Sequence, residues 1–576
     1  MTVRYKGLVY GAILAFAIDY FAAPSSAWAD SPLNLNDLQR QNDVILRQQQ
    51  NQLRQDQSNA ERPGRTGGAT LTPPAPVTVP ETGPCRDIKA IVVNGATHLP
   101  KGTLDKLVHA YEGRCLRAND IEALLTEITA EYFRRAYITT HAYLPAQDLT
   151  TGQLTITVVE GRIQAYRIED NPHNRLWANA IFPAVPGAML NLRDLEQGID
   201  QINRATSNNA RLDIEPGSQP GESVVVVHNP QSFPLHLFTS YDNQSVDATG
   251  RLSGMATVTE DGLLGLNEIV SVTHRQTLPF DSAHDSKTDA LDVVIPFGYN
   301  TLTFDLSDMR YDSLVNEASG TPLLSQGSTI TRSIGLDRVV FRNQDSKVSV
   351  SASLTDQSTS SYLQHQFLSV ASRELTFLDL GTSLFAGVGG GLFNGRFDFV
   401  QGLPILGSLR DPGEVPDSAP HAQFSKVTLD LGYTRPFSLF GRNLDWSSHL
   451  DAQYAMTTLF GSQQILLGGP TTVRGFLDET LSGDTGAYWR NEIGVPFSLS
   501  GQLGTLSGRF YTGFDAGSVT NRAPGVPGGT MTGLTVGASW QWRRVSGEVY
   551  FSHPLTMPNS IAREANRVFF RLSYSL

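Results

Sequence analysis

The chain carries only two cysteines among 576 residues, Cys85 and Cys115. Two thiols cannot build a disulfide-dense scaffold or a four-thiolate zinc site. Charge is also scarce. Asp, Glu, Lys and Arg make up 17% of the residues, against roughly 25% in an ordinary soluble protein. The balance is acidic, 56 acidic residues to 44 basic and a formal net charge of −12. That argues against a nucleic-acid partner, which needs a basic surface. Past the N-terminal segment there is no uninterrupted apolar stretch approaching the about 20 residues of a membrane-spanning helix. The larger apolar clusters, such as Val224–Val227, are strand-sized. No HExxH, GxSxG or Walker A pattern occurs. The Gly-rich run Gly387–Gly395 lacks phosphate-loop spacing and lies among strand-like segments, so it reads as close backbone packing or a turn. The 12 histidines are scattered without ligand spacing. No catalytic residue, metal site or cofactor is expected.

What is present begins with an export signal over residues 1–29. Arg4 and Lys6 precede the apolar run Gly7–Ile18, and Ala27-Trp28-Ala29 offers a small-x-small cleavage site. The apolar run is shorter than a spanning helix requires. An exported chain is either soluble or a β-barrel. In an oxidising compartment Cys85 and Cys115 can form a disulfide. The alternative is a redox or catalytic thiol, for which no CxxC is present. Residues 30–60 are polar, rich in Gln, Asn and Arg with interspersed Leu and Ile, and suit a mostly polar helix in a wet setting. Residues 61–85 contain Pro63, Pro73, Pro74, Pro76, Pro80 and Pro84 and form an extended linker.

Two small α+β modules follow. In residues 86–161, Ile88–Val93 reads as a strand ending in the turn Asn94-Gly95. Asn119 with Glu122 makes a capping box, and Ile121, Leu124, Leu125, Ile128 and Tyr132 form one buried helix face. Thr139–Leu144 and Leu154–Val159 are further strands. Residues 162–230 loosely repeat the order, with a strand at Ile163–Ile168, a helix at Leu192–Asn203 and strands at Arg211–Glu215 and Ser223–His228.

From 231 to 576 helical periodicity vanishes and period-two alternation takes over. Leu302, Phe304 and Leu306 alternate with Thr303 and Asp305. Val348, Val350, Ala352 and Leu354 alternate with serines. Leu534, Val536, Ala538 and Trp540 alternate with Thr535, Gly537 and Ser539. One apolar face and one face of Ser, Thr, Asp and Gln is what a barrel in lipid with a wet lumen requires. At about 10 residues per strand this length accommodates about 16 strands, with 14 or 18 as neighbours. The alternation Val568, Phe570, Leu572, Tyr574, Leu576 runs to the last residue, as closure of a barrel allows.

Two motifs stand out in the barrel. Leu467–Phe476 contains Gly-Gly-Pro followed by Val473-Arg474-Gly475-Phe476. In Phe510–Gly517, Asp515 shares a face with Gly513 and Gly517. If Phe510 and Phe514 face lipid, that carboxylate points into the lumen with room for a large partner. The planar fork of an arginine is its natural complement, and the residues permit this pair without requiring it.

With these segments in view the chain resembles the two-partner-secretion outer-membrane transporters, the TpsB branch of the POTRA-plus-barrel superfamily, of the haemolysin and filamentous-haemagglutinin transporter type. The resemblance covers nearly the whole mature chain. Ala136–Ile163 is similar to the family signature at the end of the first POTRA domain, with Ala136 where the family often has Gly. "GGPTTVRGF" is similar to the tip of the loop that folds into the barrel, here around 467–480, and "GFDAG" to the barrel-wall motif. The resemblance implies a transmembrane antiparallel β-barrel behind two periplasmic POTRA domains (86–161 and 162–230) and a pore-plugging N-terminal helix. It implies that Arg474 pairs with Asp515 to lock the loop. It also implies a secreted exoprotein with an N-terminal secretion domain as cargo, outer-membrane lipid as surroundings, and periplasmic chaperones and the barrel-assembly machinery as assembly partners. Transport would run without ATP. The alternative within the superfamily is a barrel-assembly or insertion factor, which usually carries more POTRA modules.

Overall fold

The computed structural model describes residues 44–45, 84–169, 176–316, 321–502 and 504–576. The export signal, the Pro-rich linker and most of the N-terminal helix expected from sequence lie outside the described residues. Within that helix Val44 and Ile45 are helical.

In the first module the apolar run from Ile88 splits into two strands, Arg86–Ile88 and Ala90–Asn94. The break comes because the halves pair differently. The first half joins Arg114–Leu116, and the second runs parallel to Gln153–Val159, whose other edge carries His141–Tyr143. Helix Ala118–Arg134 lays Ile121, Leu124, Ile128 and Tyr132 on this sheet. Its start differs from the sequence expectation. The Asp120 carboxylate accepts Arg117 N–H at 2.7 Å, so Asp120 closes the first turn and Asn119 lies inside the helix. Cys85 and Cys115 are bonded, with Cα atoms 5.3 Å apart, and fasten the start of the module beside strand Arg114–Leu116.

That helix ends on Ala136, which has φ +68°. Left-handed backbone costs an L-residue about 1–2 kcal/mol, and glycine avoids the cost. Ala136→Gly should therefore stabilise the module by up to about 1 kcal/mol, the loss of one buried methyl and the freer unfolded chain offsetting part of the gain. A raised urea midpoint of the periplasmic region checks this. A lowered one would mean that the methyl contacts dominate.

The modules meet at Glu160 and Gly161. The Glu160 carboxylate accepts hydrogen bonds from Thr97 N (2.7 Å), His98 N (2.8 Å) and Tyr132 Oη (2.8 Å). Burial raises its pKa, but the bonds from Thr97, Tyr132 and His98 outweigh that and hold it at about 2 instead of the ordinary 4.5. A depressed carboxylate stabilises the fold above its unfolded pKa. That stability is lost as pH falls through the folded value. The periplasmic region should thus lose about 1–2 kcal/mol between about pH 4.5 and pH 2 through this group, solvent screening taking part of the full linkage. In Glu160→Gln that part of the pH dependence should disappear, and an unchanged pH–stability curve would refute it.

The second module pairs Arg162–Glu169 parallel with Glu222–His228, whose other edge is Arg211–Pro216. Helix Leu192–Asn203 covers the sheet, with Leu195 and Ile202 fully buried beside Phe182, Val225 and Val227. The opposite side of this helix docks on the short barrel turns. Gln201 Nε2 donates to Gly298 O (3.1 Å) and Asn300 O (3.0 Å), Arg342 reaches Asp200 at 2.5 Å, and Asn208 Nδ2 donates to Asn267 Oδ1 at 2.7 Å.

Among the described residues, sixteen antiparallel strands from Leu235–Asp242 to Arg567–Ser575 close a barrel; the pair Gln366–Phe367 only extends one hairpin. The last strand returns to the first. Period two sets the faces. Phe304, Leu306, Ile334, Leu336, Phe510, Phe514, Leu534 and Val536 are exposed on the outside. Met309, Tyr311, Tyr511, Asp515 and Thr535 are buried on the inside. A continuous exposed apolar belt of this kind is a lipid-facing surface. The glycine run 387–395 forms one short turn, where Gly389 and Gly390 take φ +58° and +78°. No described helix is long and apolar enough to cross a membrane.

Candidate functional site

Apart from 262–268, the connections at the docked-module end have two or three residues, and the longest connections lie at the other end. The longest connection, between strands Arg442–Ala455 and Thr485–Gly501, turns inward instead of projecting. Its two arms pair as Ile465–Leu467 with Leu481–Gly483. Its tip carries Val473, Arg474, Gly475 and Phe476, all buried; Val473 and Phe476 are fully enclosed with Leu467, Val519 and Met531.

Strand Gly504–Thr520 presents Asp515 to this tip. Arg474 Nε donates to Asp515 Oδ2 at 2.7 Å and Nη2 to Oδ1 at 2.8 Å, a two-pronged fork on one carboxylate. Arg474 N–H adds a third bond to Oδ2 at 3.0 Å. Arg474 is 2% exposed and Asp515 0%. The remaining guanidinium nitrogen reaches Glu492 Oε1, and Glu492 in turn pairs with Arg509. Each charge thus has a partner, as burial demands.

Glycines clear the approach. A Cβ at Gly513 would stand 2.6 Å from Arg474 Nη2, and one at Gly517 would stand 2.8 Å from Leu467. At Gly533, on the next strand, it would stand 1.8 Å from Arg474 O. Gly475 itself has φ +113° against the backbone of His553 and Pro554.

The structure therefore brings Arg474, Asp515, Gly513 and Gly517 together. Cys85 and Cys115 stand apart in the first module and take no part. Several residues of the site were not singled out from sequence. Glu492 and Arg490 alternate on the lumen face of one strand, a pair of charges at period two that carries the signal. Arg490 donates to Thr471 O at 2.9 Å. Glu564 accepts N–H groups from Leu477 (2.9 Å), Asp478 (3.3 Å) and Glu479 (3.3 Å) and pairs with Arg567 at 2.7 Å. It sits in an irregular loop where no periodicity marks it.

The family profile of haemolysin secretion/activation proteins ShlB/FhaC/HecB matches residues 221–540. This chain belongs to that family. POTRA profiles match residues 87–161 and 162–216. The chain is 32% identical over 535 residues to the outer membrane transporter CdiB of Escherichia coli, covering 92% of this chain and 89% of that protein. It is 29% identical over 508 residues to the hemolysin transporter protein ShlB of Serratia marcescens, covering 88% of each. The solved structure of CdiB from Escherichia coli superposes with a TM-score of 0.83 at 30% identity, covering 95% of this chain and all of that one. Members of the family are transporters, and this one joins two POTRA domains to an outer-membrane barrel with its largest loop folded into the lumen.

Proposed function

We propose that this protein is a non-enzymatic outer-membrane pore of two-partner secretion, which passes a large exoprotein from periplasm to cell surface or medium. The observation that carries the reading is a lumen occupied by a loop held through one buried Arg474–Asp515 fork, behind two periplasmic POTRA domains docked on the barrel turns. A diffusion pore needs neither feature. Among the described residues, Arg211–Pro216 and His141–Tyr143 are edge strands of the POTRA sheets. An extended chain can add to such an edge, main-chain hydrogen bonds giving affinity and side-chain pockets selectivity. The cargo is an exoprotein with an N-terminal secretion domain. Periplasmic chaperones keep it unfolded, and the barrel-assembly machinery inserts the transporter. The Arg474–Asp515 pair is the lock of the resting loop, and the Cys85–Cys115 bridge fixes where the linker enters the first POTRA domain. Transport runs without ATP.

The test is a quantitative comparison of the secreted and outer-membrane proteomes with and without this protein. Loss of one or two large exoproteins from the medium, with the outer membrane unchanged, is expected. A general fall in barrel proteins would mean an assembly factor instead.

A further inference from the structure

Ile45 is 3% exposed and rests on Ala290, Met309 and Tyr311, with Val246 alongside. Met309 and Tyr311 lie two apart on the lumen face of strand Asn300–Asn316, so this is a seat inside the barrel. The neighbouring strand makes room for the Tyr311 ring that floors this seat: a Cβ at Gly327 would stand 2.3 Å from it. The seat lies toward the long-loop end, because Val246 opens the 3-10 turn Asp247–Thr249 in the connection between the first two barrel strands.

The next residue of that turn faces a different tenant. Asp247 N–H donates to Asp478 Oδ1 at 2.8 Å, and Asp478 belongs to the folded-in loop. Arg567 holds Asp478 at 2.5 Å and approaches Asp247 at 3.7 Å. One short turn therefore borders the apolar seat of Ile45 through Val246 and the loop through Asp247.

We propose that the turn Asp247–Thr249 is a shared clasp that couples the two, so that Ile45 and the folded-in loop hold each other in the lumen. If Ile45 leaves, the apolar cluster against which Val246 packs loses a member and the turn is free to swing. Asp478 then loses one of its two donors and is left with Arg567 alone. The converse follows with the same free energy, because coupling between two sites is reciprocal. The link is a contiguous set of contacts through one element, the kind of path that double-mutant measurements can test.

Thiol labelling in the intact protein tests it. Cys85 and Cys115 are bonded to each other, so one introduced cysteine is the reactive thiol. Met309→Cys places it beneath Ile45, and Leu477→Cys places it in the loop, where Leu477 is 1% exposed. Ile45→Asp should speed maleimide labelling of Met309→Cys. Asp478→Ala touches neither residue, yet it should speed the same reaction about fivefold or more. Asp247→Pro should do likewise, since it removes the donor at a turn position that accepts proline. Ile45→Asp should also accelerate labelling of Leu477→Cys, because the coupling acts in both directions. If Ile45→Asp leaves Met309→Cys labelling unchanged, the seat is wrong. If it speeds that labelling but Asp478→Ala and Asp247→Pro do not, the seat stands and the coupling is refuted. No step uses secretion, so the outcome is independent of the transport reading.

Discussion

Asp515→Ala should abolish secretion while the barrel remains inserted. The substitution removes three hydrogen bonds at once, two from the Arg474 side chain and one from its N–H. It also leaves a guanidinium that is 2% exposed with Glu492 as its one remaining carboxylate in contact. Breaking a buried pair by deleting one partner costs about 3–5 kcal/mol, a shift of at least a hundredfold in loop occupancy at about 1.4 kcal/mol per tenfold. The geometry also orders the variants. Arg474→Ala keeps the N–H bond to Asp515 but leaves that fully buried carboxylate without its cation, so it should lose secretion as completely. Arg474→Lys keeps the charge but loses the fork, so it should fall between wild type and Arg474→Ala. Cargo in the medium, normalised to heat-modifiable barrel in the membrane, is the measurement. Wild-type secretion by Asp515→Ala at equal barrel level would show that the loop anchor plays no part in transport.

Legibility in the sequence followed periodicity. Strands such as Asn300–Asn316 and Gly504–Thr520 alternate strictly because one side meets lipid and the other water. From that alone the inward direction of Asp515 was readable. Helix Leu192–Asn203 was readable because Leu195, Ile199 and Ile202 share one face. The residues that were not readable obey other rules. Glu564 is defined by three N–H groups of a loop 85–87 residues away in sequence, and loops carry no period. Gly533 is needed only because Arg474 O arrives there. Asn119 misled because the helix starts earlier than its capping pattern suggests: Arg117 takes the cap position in extended backbone and the Asp120 carboxylate reaches back to its N–H. Local propensity proposes and the tertiary partner decides.

The seam between the last strand and the first is where a second substitution should act most strongly. Five residue pairs form the ladder between Leu235–Asp242 and Arg567–Ser575, from Arg571↔Asp242 to Ser575↔Phe238, with Leu237–Leu576 and Asn243–Phe570 bonded just beyond it. Asp242 stands at the end of this short ladder and is 0% exposed. It accepts from Arg275 Nη2 at 2.8 and 3.1 Å and lies 3.3 Å from Arg571 Nη2. Arg275 is on the third strand and Arg571 on the last, so one carboxylate ties both sides of the closure. Asp242→Ala would leave two guanidiniums facing each other without the charge between them. The cost should be about 3–5 kcal/mol, read as a large drop in the temperature at which the compact barrel opens in detergent. Adding Arg275→Gln to Asp242→Ala should recover part of the loss, because it removes one of the stranded cations. Asp308→Ala is the control: its partner Arg310 is largely exposed, and such pairs contribute at most about 1 kcal/mol. If Asp242→Ala opened at the same temperature as Asp308→Ala, the ladder and the apolar belt would be closing the barrel without help from the buried charges. The seam would then owe its strength to backbone pairing, including the two bonds between Leu237 and Leu576 at 2.8 and 3.3 Å.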